Sequence, residues 1–217
     1  MAPKLYIHKS SAVVRSVLLN EAALGLSLEH VPINLFKGEH LTPEFLELNP
    51  LHTIPTLVDG DKVIFDSAAI NIYLVEQYGK GSSLYPNDPY EKALVNELLH
   101  FASSFFITAA RIIKPIMLKG VKEIFSADTN EMINVYGYLE KLLEGRVWAT
   151  GDKLTLADFA LIPLVTSAHI AVPIDENKFP NITAWLNRAK QLPYYHCNAE
   201  GNEEFKTQFL ERLHSKS

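Results

Sequence analysis

Every strand-like run in this 217-residue chain falls before residue 66, and everything after it carries only helical patterning. Leu5-Tyr6-Ile7 and Leu28 to Ile33 read as strands. Between them Val13, Val14, Val17, Leu18 and Ala22 recur at helical spacing until Gly25 stops the helix. A strand-helix-strand opening is the unit of a parallel pair. Thr42-Pro43-Glu44 starts a short helix with proline in its first position. Thr56-Leu57-Val58 and Lys62-Val63-Ile64 flank Asp59-Gly60, a hairpin signal. A helix over Ser67 to Gln77 closes at Gly79.

The resulting order, β-α-β-α-β-β-α, predicts a thioredoxin-like α/β domain over residues 1–79. A dinucleotide-binding domain needs continued β-α alternation, and no G-x-G-x-x-G occurs. A linker rich in Gly, Ser, Pro, Asn and Asp covers 80–89. An all-helical domain is predicted over 90–217, with helices at Tyr90–Lys119 (kinked near Pro115), Thr129–Leu143, Leu156–Ala168, Ile182–Gln191 and Glu203–Leu213. A net charge of −5 gives no reason to expect nucleic acid or an anionic membrane as partner. The most apolar stretch, Phe159 to Ile174, is interrupted by Pro163, His169 and Pro173 and falls short of the roughly 20 residues of a membrane span. No Cys/His cluster has zinc-ligand spacing, so no metal is expected, and the single cysteine, Cys197, cannot form an internal disulfide. The N-terminal residues lack a signal-peptide core, so a cytoplasmic protein is the default expectation.

Four segments in order resemble the cytosolic glutathione transferase family over essentially the whole length. Asn49-Pro50-Leu51-His52-Thr53-Ile54-Pro55-Thr56-Leu57 is similar to the family's N-P-x-x-x-[IV]-P-x-L segment, in the His-Thr-Ile-Pro form of insect delta and epsilon members. Asp66-Ser67-Ala68-Ala69-Ile70, the linker Ser83-Leu84-Tyr85-Pro86, and Thr150-Gly151-Asp152-Lys153-Leu154-Thr155-Leu156-Ala157-Asp158 complete the match.

The resemblance implies an enzyme that uses glutathione as co-substrate, with Ser11 at the catalytic serine position. A free thiol with a pKa near 8.5 is only a few per cent thiolate at pH 7, so the main task is to stabilise the anion. Ser11 stands between the first strand and the first helix, where the dipole and unpaired N–H groups favour an anion. By position alone Ser11 reads first as a plain helix cap. The family's two prolines after this serine are here Ala12 and Val13, a departure that leaves Ser10 as the alternative hydroxyl. Tyr6 reads as a strand residue.

The remaining glutathione contacts are also implied by the resemblance. A cis Ile54–Pro55 bond would expose the main chain of Ile54 to the cysteinyl unit, next to Thr53. Ser67 would take the γ-glutamyl carboxylate and Asp66 its ammonium. Ala68 stands where delta members often carry Arg and epsilon members His, and would leave one polar contact missing. His52, and secondarily His40, would reach the glycyl carboxylate. Thr155-x-x-Asp158 reads as a structural capping box.

For a small hydrophobic electrophile, the helical stripe Phe101, Phe105, Thr108, Ala109, Arg111, Ile112 and Ile116 is the predicted pocket wall, with Phe209 and Leu210 closing it. About half of such a stripe is expected to be core, since one helix face is normally buried. Family members are usually homodimers. Two other functions compete: a hydrophobic-ligand carrier on the same fold, and a thiol-disulfide oxidoreductase. The latter needs a cysteine at the start of the first helix, and none precedes Cys197.

Overall fold

The computed structural model describes residues 2–215. Strands β1 (Lys4–Ile7), β2 (Glu29–Pro32), β3 (Thr56–Asp59) and β4 (Lys62–Phe65) form one sheet in the order β2-β1-β3-β4. β1 and β2 are parallel, while β3 is antiparallel to both β1 and β4. The hairpin turns one residue later than the sequence suggests. Asp59 pairs with Lys62, so Gly60-Asp61 is the loop, and Gly60 takes the positive φ of 62° that such a tight turn favours.

Leu5 and Ile7 are buried and alternate with more exposed Lys4 and Tyr6, the period-two pattern of a strand. They pack on Val14, Val17 and Leu18 of α1 (Ala12–Ala23) and on Ile70 and Leu74 of α3 (Ser67–Tyr78). Gly25, at φ 65°, ends α1 where predicted. The short α2 (Pro43–Leu48) is capped by Thr42 Oγ1, which accepts from the Phe45 N–H at 3.4 Å.

Five helices follow: α4 (Pro89–Lys119), α5 (Ser126–Leu142), α6 (Leu156–Ala171), α7 (Pro180–Ala189) and α8 (His196–His214). Asp88 caps α4 by accepting from the N–H groups of Tyr90 and Glu91 at 3.0 and 2.9 Å. The helix runs on through Pro115. It is α4, rather than the Phe159–Ile174 stretch, that is long and apolar enough to cross a membrane by composition. Here it is a core helix, burying Leu98, Ala102, Phe105, Ala109, Ile112 and Ile116 in the helical cluster.

α8 begins seven residues before the predicted Glu203. Asn198 and Gly201 hide its first turns from a propensity reading, and both are required there by packing against α1. That helix lies between the sheet and the helical half, in contact with α3 on one side and α6 and α8 on the other. Val14 through Glu21 are all buried, polar members included. The helix predicted to carry the functional serine is thus held from both halves of the molecule.

Candidate active site

Ser11 is the N-cap residue of α1, with the extended φ and ψ of −72° and 122° typical of that position. Its N–H donates to the His8 carbonyl at 2.9 Å. Its hydroxyl makes no capping hydrogen bond, so the plain-cap alternative does not describe it. The side chain instead lines a cleft of about 470 Å³ between the sheet half and the helical half. No acidic residue occupies the first turn of α1 to oppose an anion there. Ala12 and Val13 also line the cleft. Unlike the prolines of the family pattern, both carry N–H groups, which lack intrahelical acceptors at this end of the helix. Ser10 lines the same cleft but is only 6% exposed.

Without those prolines the loop before α1 is braced from behind by α8. Arg15, fully buried, donates through Nη1 to Asn198 Oδ1 at 2.5 Å and to Asn202 Oδ1 at 3.1 Å, and through Nη2 to Ser167 Oγ. Burial, with no carboxylate partner among the described residues, pushes its pKa down to about 9, so it remains cationic at neutral pH. Gly201 lets α8 approach this loop closely. A methyl group at that position would overlap the Lys9 carbonyl oxygen and stand 2.7 Å from Arg15 Cδ. Gly201→Ala is therefore expected to cost about 2 kcal/mol by overpacking and to displace the Lys9–Ser11 loop. Urea unfolding and the KM for glutathione read the two effects, and unchanged values for both would remove this bracing role.

The segment from Asn49 to Thr56 forms the second wall, and its Ile54–Pro55 peptide is cis. Buried Asn49 organises it: Nδ2 donates to the Thr53 carbonyl at 3.0 Å and to Thr56 Oγ1 at 3.0 Å, while Oδ1 accepts from the Leu51 N–H at 3.0 Å. The structural task of Asn49 shows only in the fold. His52 (φ 45°) and Asp66 (φ 76°) are the only non-glycine residues with positive φ among the described residues. Both lie in predicted glutathione contacts, and unusual backbone of this kind concentrates at functional sites. The His40 and His52 rings stand 6.1 Å apart. Burial, and secondarily His52, holds His40 below its ordinary pKa, and its buried Nδ1 has no hydrogen-bond partner among the described residues.

Asp66 caps α3. Its Oδ1 accepts from the Ala68 and Ala69 N–H groups at 2.9 and 3.3 Å, and Ser67 starts the helix beside it. A groove of about 400 Å³ contains Thr53, Ile54, Pro55, Asp66, Ser67 and Ala68. It adjoins the first cleft through shared walls at Val13, Thr53, Ile54, Phe106, Lys114 and Leu164. The first cleft in turn holds His40, His52, Thr53 and Ile54. The residues predicted to contact glutathione therefore line two adjoining cavities, and Ser11 lines the first of them.

The predicted electrophile wall needs correction. Of its residues only Ala109 lines the cleft. Phe105, Ile112, Ile116 and Phe209 are buried in the helical core, and half-buried Phe101 packs edge-on against Phe105 with ring centroids 6.4 Å apart. Thr108 hydrogen-bonds the Ser104 carbonyl, Leu210 borders a different cavity, and Arg111 is exposed and paired with Asp128 at 2.9 Å. The most apolar stripe of α4 satisfies the core, and the cleft takes the flank next to it: Phe106, Ala110, Ile113, Lys114 and Met117. α8 contributes Phe205, α6 Leu164 and Ser167, and the segment after β2 contributes Leu35 and Phe36. Phe36 is pinned by the His8 ring at 5.6 Å and by the Arg212 guanidinium 4.3 Å above its face. His8, Phe36 and Ser167 carried no local signal; the shift from Phe105 to Phe106 follows only from knowing which face α6 covers.

Cys197 lies away from this cleft, in a separate cavity beside Glu21 and Glu200, and burial pushes its thiol pKa up. No cysteine stands at the start of α1, so a thiol-disulfide oxidoreductase would lack its nucleophile.

A mixed four-stranded thioredoxin-like sheet, a helix that starts after its inner strand β1, and an all-helical second half across an apolar cleft define a thioredoxin-like α/β half joined to a helical half. Comparison with known proteins agrees. Residues 1–76 match the family model "Glutathione S-transferase, N-terminal domain", and residues 104–193 match "Glutathione S-transferase, C-terminal domain". The chain is 37% identical over 207 residues to "Glutathione S-transferase 1" of Manduca sexta, covering 94% of this chain and 95% of that one. Among solved structures, an epsilon-class glutathione S-transferase from the housefly Musca domestica aligns at TM-score 0.94 and 36% identity, covering 97% of this chain and 98% of that one. A glutathione transferase homologue from Drosophila mojavensis, solved with bound glutathione, aligns at TM-score 0.94 and 37% identity, with 97% of each chain covered. The chain belongs to the glutathione S-transferase family. Its structural neighbours include both epsilon- and delta-class insect enzymes.

Proposed function

We propose that this protein holds the thiol of glutathione as a thiolate at the N-terminus of α1, with the Ser11 hydroxyl donating to the sulfur, and conjugates it to small hydrophobic electrophiles. The observation that carries this reading is the Ser11 hydroxyl itself: unspent in capping, at the positive end of a helix, and on the wall of the cleft. The main chain of Ile54 pairs with the cysteinyl unit. Ser67 and the N-terminus of α3 take the γ-glutamyl carboxylate, Asp66 its ammonium, and His52 with His40 the glycyl carboxylate. Pro55, Thr53 and Ala68 shape the groove between them. The flank of α4 that reaches Phe106 and Ala109, together with Phe205, receives the electrophile.

In this arrangement residues 1–79 bind glutathione, 80–89 link, and 90–217 supply the second pocket. The exposed apolar residues Leu51, Val63, Tyr90 and Ile107 support a homodimer in which the sheet half of one copy packs on the helical half of the other. The setting proposed is the cytoplasm. The carrier alternative offers no use for an unengaged hydroxyl at a helix N-terminus, and the family relatives do not favour it.

The test is titration of bound glutathione by the ultraviolet absorption of its thiolate. The bound thiol is expected to ionise about 2 pKa units below its free value near 8.5, a stabilisation of about 2.7 kcal/mol. A bound tripeptide titrating as it does free would end the proposal.

A further inference from the structure

Two cations lie three residues apart on α4, and the structure treats them differently. Arg111 faces outward and is neutralised by Asp128 at 2.9 Å. Lys114 has no ion pair among the described residues, and its Nζ stands 5.6 Å from the centre of the Phe106 ring. Both Phe106 and Lys114 line the cleft over Ser11 and the adjoining groove. No aspartate or glutamate lines that cleft; its other titratable groups are His8, His40 and His52. In the adjoining groove the single carboxylate, Asp66, is engaged with the N–H groups at the start of α3. The second-substrate pocket is thus apolar over most of its wall, with one free ammonium at the junction and no fixed negative charge. No side chain of the cleft wall repels a carboxylate, and exposed Lys114 attracts one.

We propose that Lys114 is a specificity-determining residue that selects electrophiles carrying an anionic group beside an apolar reactive body. This rests on the function proposed above. It differs from that function in naming the class of second substrate.

The test uses two aryl chlorides that react identically: neutral 1-chloro-2,4-dinitrobenzene and anionic 4-chloro-3,5-dinitrobenzoate. In each, the thiolate sulfur forms a bond to the ring carbon, the carbon–chlorine bond breaks, and chloride leaves with the electron pair. The thiol proton has already passed to solvent. The readout is the ratio of kcat/KM for the benzoate to that for the neutral compound. In Lys114→Met this ratio is expected to fall about fivefold, the upper range of one ion pair at a water-exposed site. Lys114→Glu lowers it further, Lys114→Arg keeps it, and the wild-type preference shrinks in high salt. A ratio unchanged in Lys114→Met and Lys114→Glu overturns the proposal. So does a loss confined to the KM for glutathione, which would assign Lys114 to the tripeptide. If the wild type turns over neither chloride, the conjugation reading fails by itself. Calorimetric binding of the two glutathione conjugates then decides the inference, and equal affinities of wild type and Lys114→Met for the carboxylated one overturn it.

Discussion

Ser11→Ala is expected to lower kcat/KM for conjugation roughly thirtyfold while leaving the fold intact. A hydrogen bond to a charged group contributes about 1.5–3 kcal/mol, equivalent to roughly 10- to 150-fold in rate when the bond is made to the reacting anion. The helix N-terminus remains in the variant and continues to favour the thiolate, so activity falls without vanishing. The bound thiol's pKa is expected to rise by about 1–2 units, by the same conversion. The acidic limb of the pH profile moves to higher pH by that amount, because the group that must lose its proton now loses it later. Stability separates this role from a structural one. Replacing a capping serine commonly costs about 1 kcal/mol, but Ser11 makes no capping bond. The change in unfolding free energy should therefore stay within about 0.5 kcal/mol. A variant with wild-type kcat/KM, or one whose activity loss tracks a loss of stability, would remove Ser11 from the chemistry. If Ser10→Ala alone lost activity, the buried neighbour would take its place.

Asp158→Ala has the opposite signature: a large loss of stability with no direct effect on the cleft. Asp158 is fully buried in the first turn of α6. Its carboxylate accepts from the N–H of Thr155 at 2.9 Å, as the capping box predicts, and also from the Ala149 N–H at 2.8 Å and the Trp185 indole N–H at 2.9 Å. Burial pushes its pKa up, and the donors pull it partly back. Truncation leaves these donors unpaired in the core, and each unsatisfied group costs about 1–3 kcal/mol. The net expectation is about 4 kcal/mol, within the range for breaking a buried charge network. Thermal and urea unfolding measure it. Asp158 lines neither the cleft nor the groove, so the folded fraction should keep its KM for glutathione. A loss under 1 kcal/mol would reduce Asp158 to the ordinary helix cap that its motif suggests.

The segments proposed to hold glutathione were legible because their signals are local. A helix start follows a strand at Ser11, another begins at Asp66-Ser67, and the loop between Asn49 and Pro55 is specified by its own residues. The electrophile side was not legible in the same way. Periodicity finds the most apolar face of α4 at Phe105, Ile112 and Ile116, and that face belongs to the core because α6 and α5 cover it. The cleft inherits the neighbouring face, where Ala110 and Lys114 dilute the hydrophobic signal.

The bracing of the Lys9–Ser11 loop shows the same division. The sequence by itself determined the strand and helix order, the start of α1 at Ser11, the helix start at Asp66-Ser67 and the family. Each of these is encoded over a few consecutive residues by turn chemistry, capping and alternation. Only the tertiary structure decided how the loop is held in the absence of the prolines, through Gly201 and Asn198 meeting Lys9 and Arg15 from almost the far end of the chain. It alone decided that the Lys114 face of α4, and not the Arg111 face, lines the cleft. Those choices are set by side-chain packing between segments more than one hundred and eighty residues apart in one case, and by the burial of one helix face in the other. Neither leaves a mark on local propensity.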